Sequence, residues 1–231
     1  MAQKSKRMKE IAARVSKLDT YKLDDALGLL AEFSKKIKFK ESIDVAVRLG
    51  IDAKKSDQII RGAAVLPHGT GKSTRVAVFV DADQAQSAKD AGADLVGFDD
   101  LLADIKADKI NFDVLITTPE HMPKLGRLGQ ILGPKGLMPN PKVGSVTKDV
   151  VKAVQDAKKG QVRFRNDKEG IVHCCIGKID FAAQAIQENL KTLLDELKRL
   201  KPQASKGVYL QKVVLSTTMG PGLNLDKISL D

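Results

Sequence analysis

Between Phe39 and Leu49 the chain alternates, with Phe39, Ile43, Val45, Val47 and Leu49 at odd positions and Lys40, Ser42, Asp44 and Arg48 at even ones. A period of two makes a strand with one buried and one solvated face. One strand cannot bury its apolar face alone, and the first 67 residues offer no other of this quality. Its partners come only past residue 160, at Gln161–Arg165, Ile171–Lys178 and Val208–Thr217. Between the last two lies a long helix, Phe181–Leu200, in which Ile186, Leu190, Leu193, Leu194, Leu197 and Leu200 share one face before Lys201-Pro202 ends it. That face needs a sheet to cover. The fold class implied is a discontinuous α+β domain: an antiparallel sheet of at least four strands, covered by this helix and one near Leu23–Ser34, with a basic helix at the N-terminus.

The middle of the chain follows another pattern. Strands Arg75–Asp81, Leu95–Phe98 and Phe112–Thr117 are apolar at nearly every position and alternate with helices near Gln84–Ala91 and Leu101–Asp108. This is the signature of a parallel sheet covered on both faces, an inserted doubly wound, Rossmann-like α/β domain. A Gly/Pro-rich stretch, Gly126–Gly144, and a helix around Thr147–Lys158 with a threonine cap close it. The expected division is residues 1–67 plus 159–231 against residues 68–158. Crossings fall at Pro67-His68-Gly69-Thr70-Gly71 and Lys158-Lys159-Gly160, and two adjacent crossings permit a hinge.

Charge follows this division. Residues 1–67 hold 15 Lys/Arg against 9 Asp/Glu, residues 68–158 hold 12 against 12, and residues 159–231 hold 12 against 8. The whole excess of +10 therefore sits on the two ends, and a polyanion is their expected partner. No run approaches the roughly 18 apolar residues of a membrane span, so no membrane role and a cytoplasmic location are expected. Cys174 and Cys175 are adjacent in an apolar run, where they read as buried or half-buried strand residues.

Catalytic signals are weak. Gly69-Thr70-Gly71-Lys72-Ser73-Thr74 ends like a phosphate loop, but that motif's first glycine would fall at Leu66, and the segment precedes its strand instead of following one. Ala91-Gly92-Ala93-Asp94 reads as an ordinary helix-to-strand turn. His68, His121 and His173 are scattered without metal-ligand spacing. No enzymatic activity and no cofactor are expected. The rival reading, an α/β enzyme with a nucleotide site in the neutral middle, has to overcome that defective loop.

RNA is the better partner. Lys35-Lys36-Ile37-Lys38-Phe39-Lys40 places cationic and stacking groups at the entrance to the first strand. Arg163, Arg165, Asn166 and Lys168 add planar, multi-donor groups on a strand and turn. Ser216-Thr217-Thr218-Met219-Gly220-Pro221-Gly222 ends a strand in small hydroxyl and glycine residues, a loop that lets an RNA backbone approach and offers hydroxyls and amides to it. With 4% aromatic residues and no tryptophan, the chain lacks the stacking row of single-strand binders, and Gln161–Asn166 does not match the aromatic RRM signature. Folded RNA fits better.

Several segments together resemble the L-one family of bacterial large-subunit ribosomal proteins. They are Leu49–Asp52 with Ser56-Asp57-Gln58 and Arg61-Gly62, Leu66–Gly69, Ala91–Asp94, Leu132–Lys142, Phe164–Lys168 and Thr217–Pro221. The resemblance covers nearly the whole chain, and the Gly/Pro stretch is its most specific part. It implies the inserted two-domain architecture, binding as a monomer within the ribosome to rRNA of the mobile large-subunit stalk, contact with exit-site tRNA, and repression of the protein's own messenger RNA. It assigns the RNA face to Lys38, Phe39 and Ser42, to Arg165, Asp167, Lys168 and His173, and to Thr217, Thr218, Met219 and Gly220. Ser42 departs from the family's usual threonine but keeps the hydroxyl. The role of Gly126–Gly144 stays open between RNA contact through its lysines and packing against the hinge, and a free-standing repressor would use the same face.

Overall fold

In the computed structural model of the chain, residues 5–16 and 18–226 are described. Along the chain the first elements are α1 (Lys6–Arg14), β1 (Thr20–Tyr21), α2 (Leu23–Ser34), β2 (Ser42–Leu49) and β3 (Arg61–Val65). Next come β4 (Val76–Phe79), α3 (Ala82–Asp90), β5 (Leu95–Gly97), α4 (Asp99–Lys106), β6 (Val114–Thr117), α5 (Met122–Gly126), α6 (Gly129–Leu132) and α7 (Val150–Lys158). The last are β7 (Gln161–Arg165), β8 (Ile171–Lys178), α8 (Ala183–Arg199), β9 (Leu210–Thr217) and β10 (Leu223–Leu225). They form two compact units, Met1–Gly71 together with Phe164–Asp231, and Lys72–Arg163.

The discontinuous unit is built on a five-stranded sheet in the order β1-β10-β9-β2-β8. β2 is paired antiparallel on both sides, Val45 standing opposite Cys174 of β8 and Leu215 of β9. Alternation decides which face is covered. Ile43, Val45, Val47 and Leu49 are buried with Val172, Cys174, Ile176, Val213 and Leu215, beneath Leu27 and Leu30 of α2 and Ile186, Leu190 and Leu193 of α8. Full burial of each such side chain stabilises by roughly 1.5–3 kcal/mol, so this face holds the unit together.

The sheet differs from the sequence expectation in three places. β2 starts at Ser42, and Phe39, expected as the first inward apolar residue, is 52% exposed ahead of it. The odd position between Phe39 and Ile43 belongs to Glu41, which is fully buried. Gln161–Arg165 leaves the main sheet and pairs with β3, while the short β10 and, at the edge, β1 extend the sheet beyond β9, paired parallel to each other.

The continuous unit has a parallel sheet in the order β5-β4-β6, doubly wound as expected. Val76, Val78 and Val80 pack with Ala88, Val150, Val154 and Ala157 on one face. Ala77, Phe79 and Leu115 pack with Leu101, Ile105, Leu125, Leu128 and Leu132 on the other. The Gly/Pro stretch thereby gains a role that its spacing did not reveal: Leu128 and Leu132 complete a core face, with Leu137 and Met138 packed against it. The cap of α7 is Asp149, whose Oδ1 accepts the Lys152 N–H at 3.2 Å, and Thr147 instead accepts the Asp149 N–H. The units part at Gly71/Lys72 and Arg163/Phe164, against the 67/68 and 158/159 read from sequence.

Asn189 of α8 fixes the segment where the chain leaves the discontinuous unit. It has no exposed surface; its amide donates to Gly69 C=O at 3.0 Å and Ile176 C=O at 2.8 Å, and its oxygen accepts the His68 N–H at 3.1 Å. Asn189→Ala leaves these backbone groups without their partner and is expected to cost on the order of 3 kcal/mol, read as a lower urea midpoint of this unit; an unchanged midpoint contradicts the role.

Candidate nucleic-acid interface

The face of the five-stranded sheet opposite the helices carries the even-numbered residues of β2, namely Ser42, Asp44, Ala46 and Arg48. Pairing places Ser216 and Cys175 beside Asp44, Val214 and His173 beside Ala46, and Lys212 and Ile171 beside Arg48. From Ser42 to Arg48 this strip spans about 20 Å at the ordinary strand rise. Asp44 and Arg48, placed on the solvated face by the period of two, are members of it, and so is Lys212, which sequence reading missed and the same period carried onto the neighbouring strand would have found.

At the Ser42 end the β9–β10 loop is tied to β2. The Thr218 N–H donates to Ser42 C=O at 3.2 Å, Thr218 Oγ1 accepts the Ser42 N–H at 3.2 Å, and the Gly220 N–H donates to Thr217 C=O at 3.1 Å. The Met219 N–H donates to Glu41 Oε1 at 2.6 Å. The expectation that this loop offers amides to RNA is therefore corrected: the N–H groups of Thr218, Met219 and Gly220 are all used within the protein. Thr217 is 3% exposed, its hydroxyl buried, whereas Thr218 is exposed and Met219 is 54% exposed. Gly220 is required by close approach, since a Cβ there would stand 2.2 Å from Thr217 Oγ1.

Lys38 and Phe39 are exposed on the segment leading into β2. The neighbouring cations are partly committed. Lys36 pairs with Glu10, and Lys40 with Asp180 at 2.7 Å, which raises the lysine's pKa and lowers the aspartate's. These are exposed pairs, worth little in stability.

At the far end, between β7 and β8, Asp167 organises a turn. Its Oδ1 accepts the N–H groups of Ile171 at 2.8 Å and Glu169 at 2.9 Å, and Gly170 takes the positive φ of +77° that closes it. Asn166 anchors the turn from below, exchanging hydrogen bonds with Ile60 at 2.8 and 3.1 Å. The His173 imidazole stands 3.6 Å from Asp167 Oδ2. Arg165 and Lys168 are exposed, and with Ala53, Ile59, Asn166 and Asp167 they line an open groove of about 430 Å³. The structure thus gathers Arg165, Asp167, Lys168 and His173 at one end of the strip and Ser42, Thr218, Met219 and Gly220 at the other.

The continuous unit has its own concavity of about 340 Å³, beyond the ends of β4 and β6, where doubly wound sheets bind ligands. Asp81, Asp83 and Glu120 line it against a single lysine, Lys148, the wrong balance for a phosphate. Asp81 also pairs with the buried His121 at 3.3 Å. Among the described residues no group of three or more His, Cys, Asp or Glu is placed to hold a metal, and no helix is long and apolar enough to cross a membrane.

Residues 30–221 match the model of the Ribosomal protein L1p/L10e family. The chain belongs to this family. This L1p/L10e member is 56% identical over 230 residues to the large ribosomal subunit protein uL1 of Marinobacter nauticus, covering 100% of this chain and 99% of the relative. It is 58% identical over 231 residues to that of Ectopseudomonas mendocina, covering 100% of both chains. The match to the uL1 of Alcanivorax borkumensis is 56% over 230 residues, with 100% and 99% covered.

The Asp167 carboxyl is held below the ordinary aspartate value of 3.8, first by the Ile171 N–H and also by the Glu169 N–H and His173. Because its folded pKa is lowered, its contribution to the turn is complete above the unfolded value and is lost as pH falls through the folded one. An NMR titration of the Asp167 carboxyl carbon is expected to give a midpoint below 3.8, with the Ile171 amide losing protection over the same range; a midpoint at or above 3.8 contradicts the turn geometry.

Proposed function

We propose that this chain is a structural, non-enzymatic protein of the large ribosomal subunit, working in the cytoplasm, that binds folded rRNA of the mobile stalk through the open face of its discontinuous unit. The observation that carries this reading is a sheet with one face closed by α2 and α8 and the other presenting hydroxyls, cations and an internally tied loop, on the unit that holds +8 of the chain's net +10. Family membership and the uL1 relatives support it.

Each group offers RNA something different. Arg165, Lys168 and Lys38 supply charge to phosphates, and Ser42 and Thr218 supply hydroxyls to phosphate or 2′-OH groups. Met219 and Phe39 supply exposed apolar surface for a base. Thr217, buried beneath the loop, acts by supporting it, while Asp167 orders the turn that carries Lys168. We extend the reading, on the resemblance to the family, to contact with exit-site tRNA during its release and to repression of the protein's own messenger RNA. The messenger would present a stalk-like fold to the same face, so rRNA and messenger compete for it.

The test is a salt titration of the full chain binding a transcript of the large-subunit stalk rRNA. Arg165→Gln with Lys168→Gln is expected to flatten the plot of log affinity against log salt by about 1–2 units, since two phosphate contacts are removed. Thr217→Val with Met219→Ala is expected to weaken binding at an unchanged slope, and Lys124→Gln with Lys142→Gln in the continuous unit to change neither. An equal loss from the last pair overturns the assignment of the face.

A further inference from the structure

We infer that Glu41 is a positioning residue for RNA binding, a buried strut that fixes the β9–β10 loop in its binding shape. This rests on the reading above for what the loop does, but the geometry stands apart from it. Glu41 lies immediately before β2, in the odd phase that the alternation of Ile43 to Leu49 gives to apolar side chains, and it has no exposed surface. Its backbone C=O accepts the Ile179 N–H at 3.0 Å at the end of β8, and its side chain reaches the other way to the Met219 N–H at 2.6 Å beyond the end of β9. One residue thereby joins the ends of three strands.

What Glu41 holds is the residue that carries the loop's exposed apolar side chain. The amides on either side of it, those of Thr218 and Gly220, are satisfied by the backbone oxygens of Ser42 and Thr217, which any sequence would supply. Of these three amides, that of Met219 depends on a side chain. With that amide turned inward, the Met219 side chain is left facing out and the Thr218 hydroxyl is presented beside it. Fixing these groups before RNA arrives removes the ordering cost from binding.

The group is poorly satisfied by the protein itself, since Glu41 Oε2 is buried without a hydrogen-bond partner, as is the neighbouring Thr217 Oγ1. A residue retained for stability would not leave a carboxyl oxygen in that state. Replacing it with an apolar side chain of similar size should therefore cost affinity and not stability, a separation that a merely structural role cannot produce.

The experiment compares the full-length chain with Glu41→Met and Glu41→Gln in binding the stalk rRNA transcript, alongside urea unfolding and amide exchange at Met219. For Glu41→Met the expected result is a Kd raised tenfold or more at an unchanged salt slope, faster Met219 exchange, and a urea midpoint at or above that of the parent. Glu41→Gln keeps the acceptor and is expected to restore the Kd to within about threefold and to protect the Met219 amide. Parent-like RNA binding by Glu41→Met overturns the inference, as does a loss that tracks unfolding and is not rescued by Gln. If the parent chain itself fails to bind the transcript, the RNA reading falls, and Met219 exchange in the two variants still decides whether Glu41 holds the loop.

Discussion

The structure depends on β2 being paired on both sides by strands that arrive more than a hundred residues later, β8 and β9. Until they arrive, the apolar side of Ser42–Leu49 has nothing to pack beneath, and α2 has only part of a sheet to cover. The loop-closure entropy of so long an excursion grows only slowly with its length, about 0.6 kcal/mol for each doubling, so an independently packed insertion of this size costs the discontinuous unit little. The insertion answers with its own two core faces around β4 and β6.

Closing one face of the sheet leaves the other to function. Helices α2 and α8 take the odd-numbered side of β2, and the even-numbered side, from Ser42 to Arg48, carries the polar strip. Both ends of the strip are shaped by carboxyl groups turned toward the protein's own backbone. Asp167 gathers two N–H groups at the β7–β8 turn, and Glu41 takes the Met219 N–H at the opposite end. Spending these carboxyl oxygens on the protein's own N–H groups orders both ends of the face and leaves the neighbouring cations and hydroxyls to a polyanion.

Much of this was legible in the sequence because it follows from periodicity. The alternation of Ile43 to Leu49, the single face from Ile186 to Leu197 and the continuous apolar strands near Val76 and Val114 each have one physical solution, and the elements appear there. The exchange of strands was not legible: Gln161–Arg165 looks as good a sheet strand as Ile171–Lys178, and only its pairing with β3, continued by the hydrogen bonds between Ile60 and Asn166, separates them. Glu41 was hidden because a carboxylic acid at an inward phase reads as an interruption, and its partner is a backbone N–H 178 residues away. Thr217 and Thr218 are neighbours of like chemistry, and only the register of β9, which puts Thr217 opposite Ile43, separates a buried hydroxyl from an exposed one.

The most direct test of the central claim, that folded RNA is gripped by the open face of the discontinuous unit, is amide hydrogen exchange across the full chain with and without the stalk rRNA transcript. The account predicts slowed exchange at the 167–171 turn, at Lys38 and Phe39 and around Thr218, with residues 76–158 unchanged. Protection concentrated in residues 76–158, with none at the turn or the loop, would contradict it.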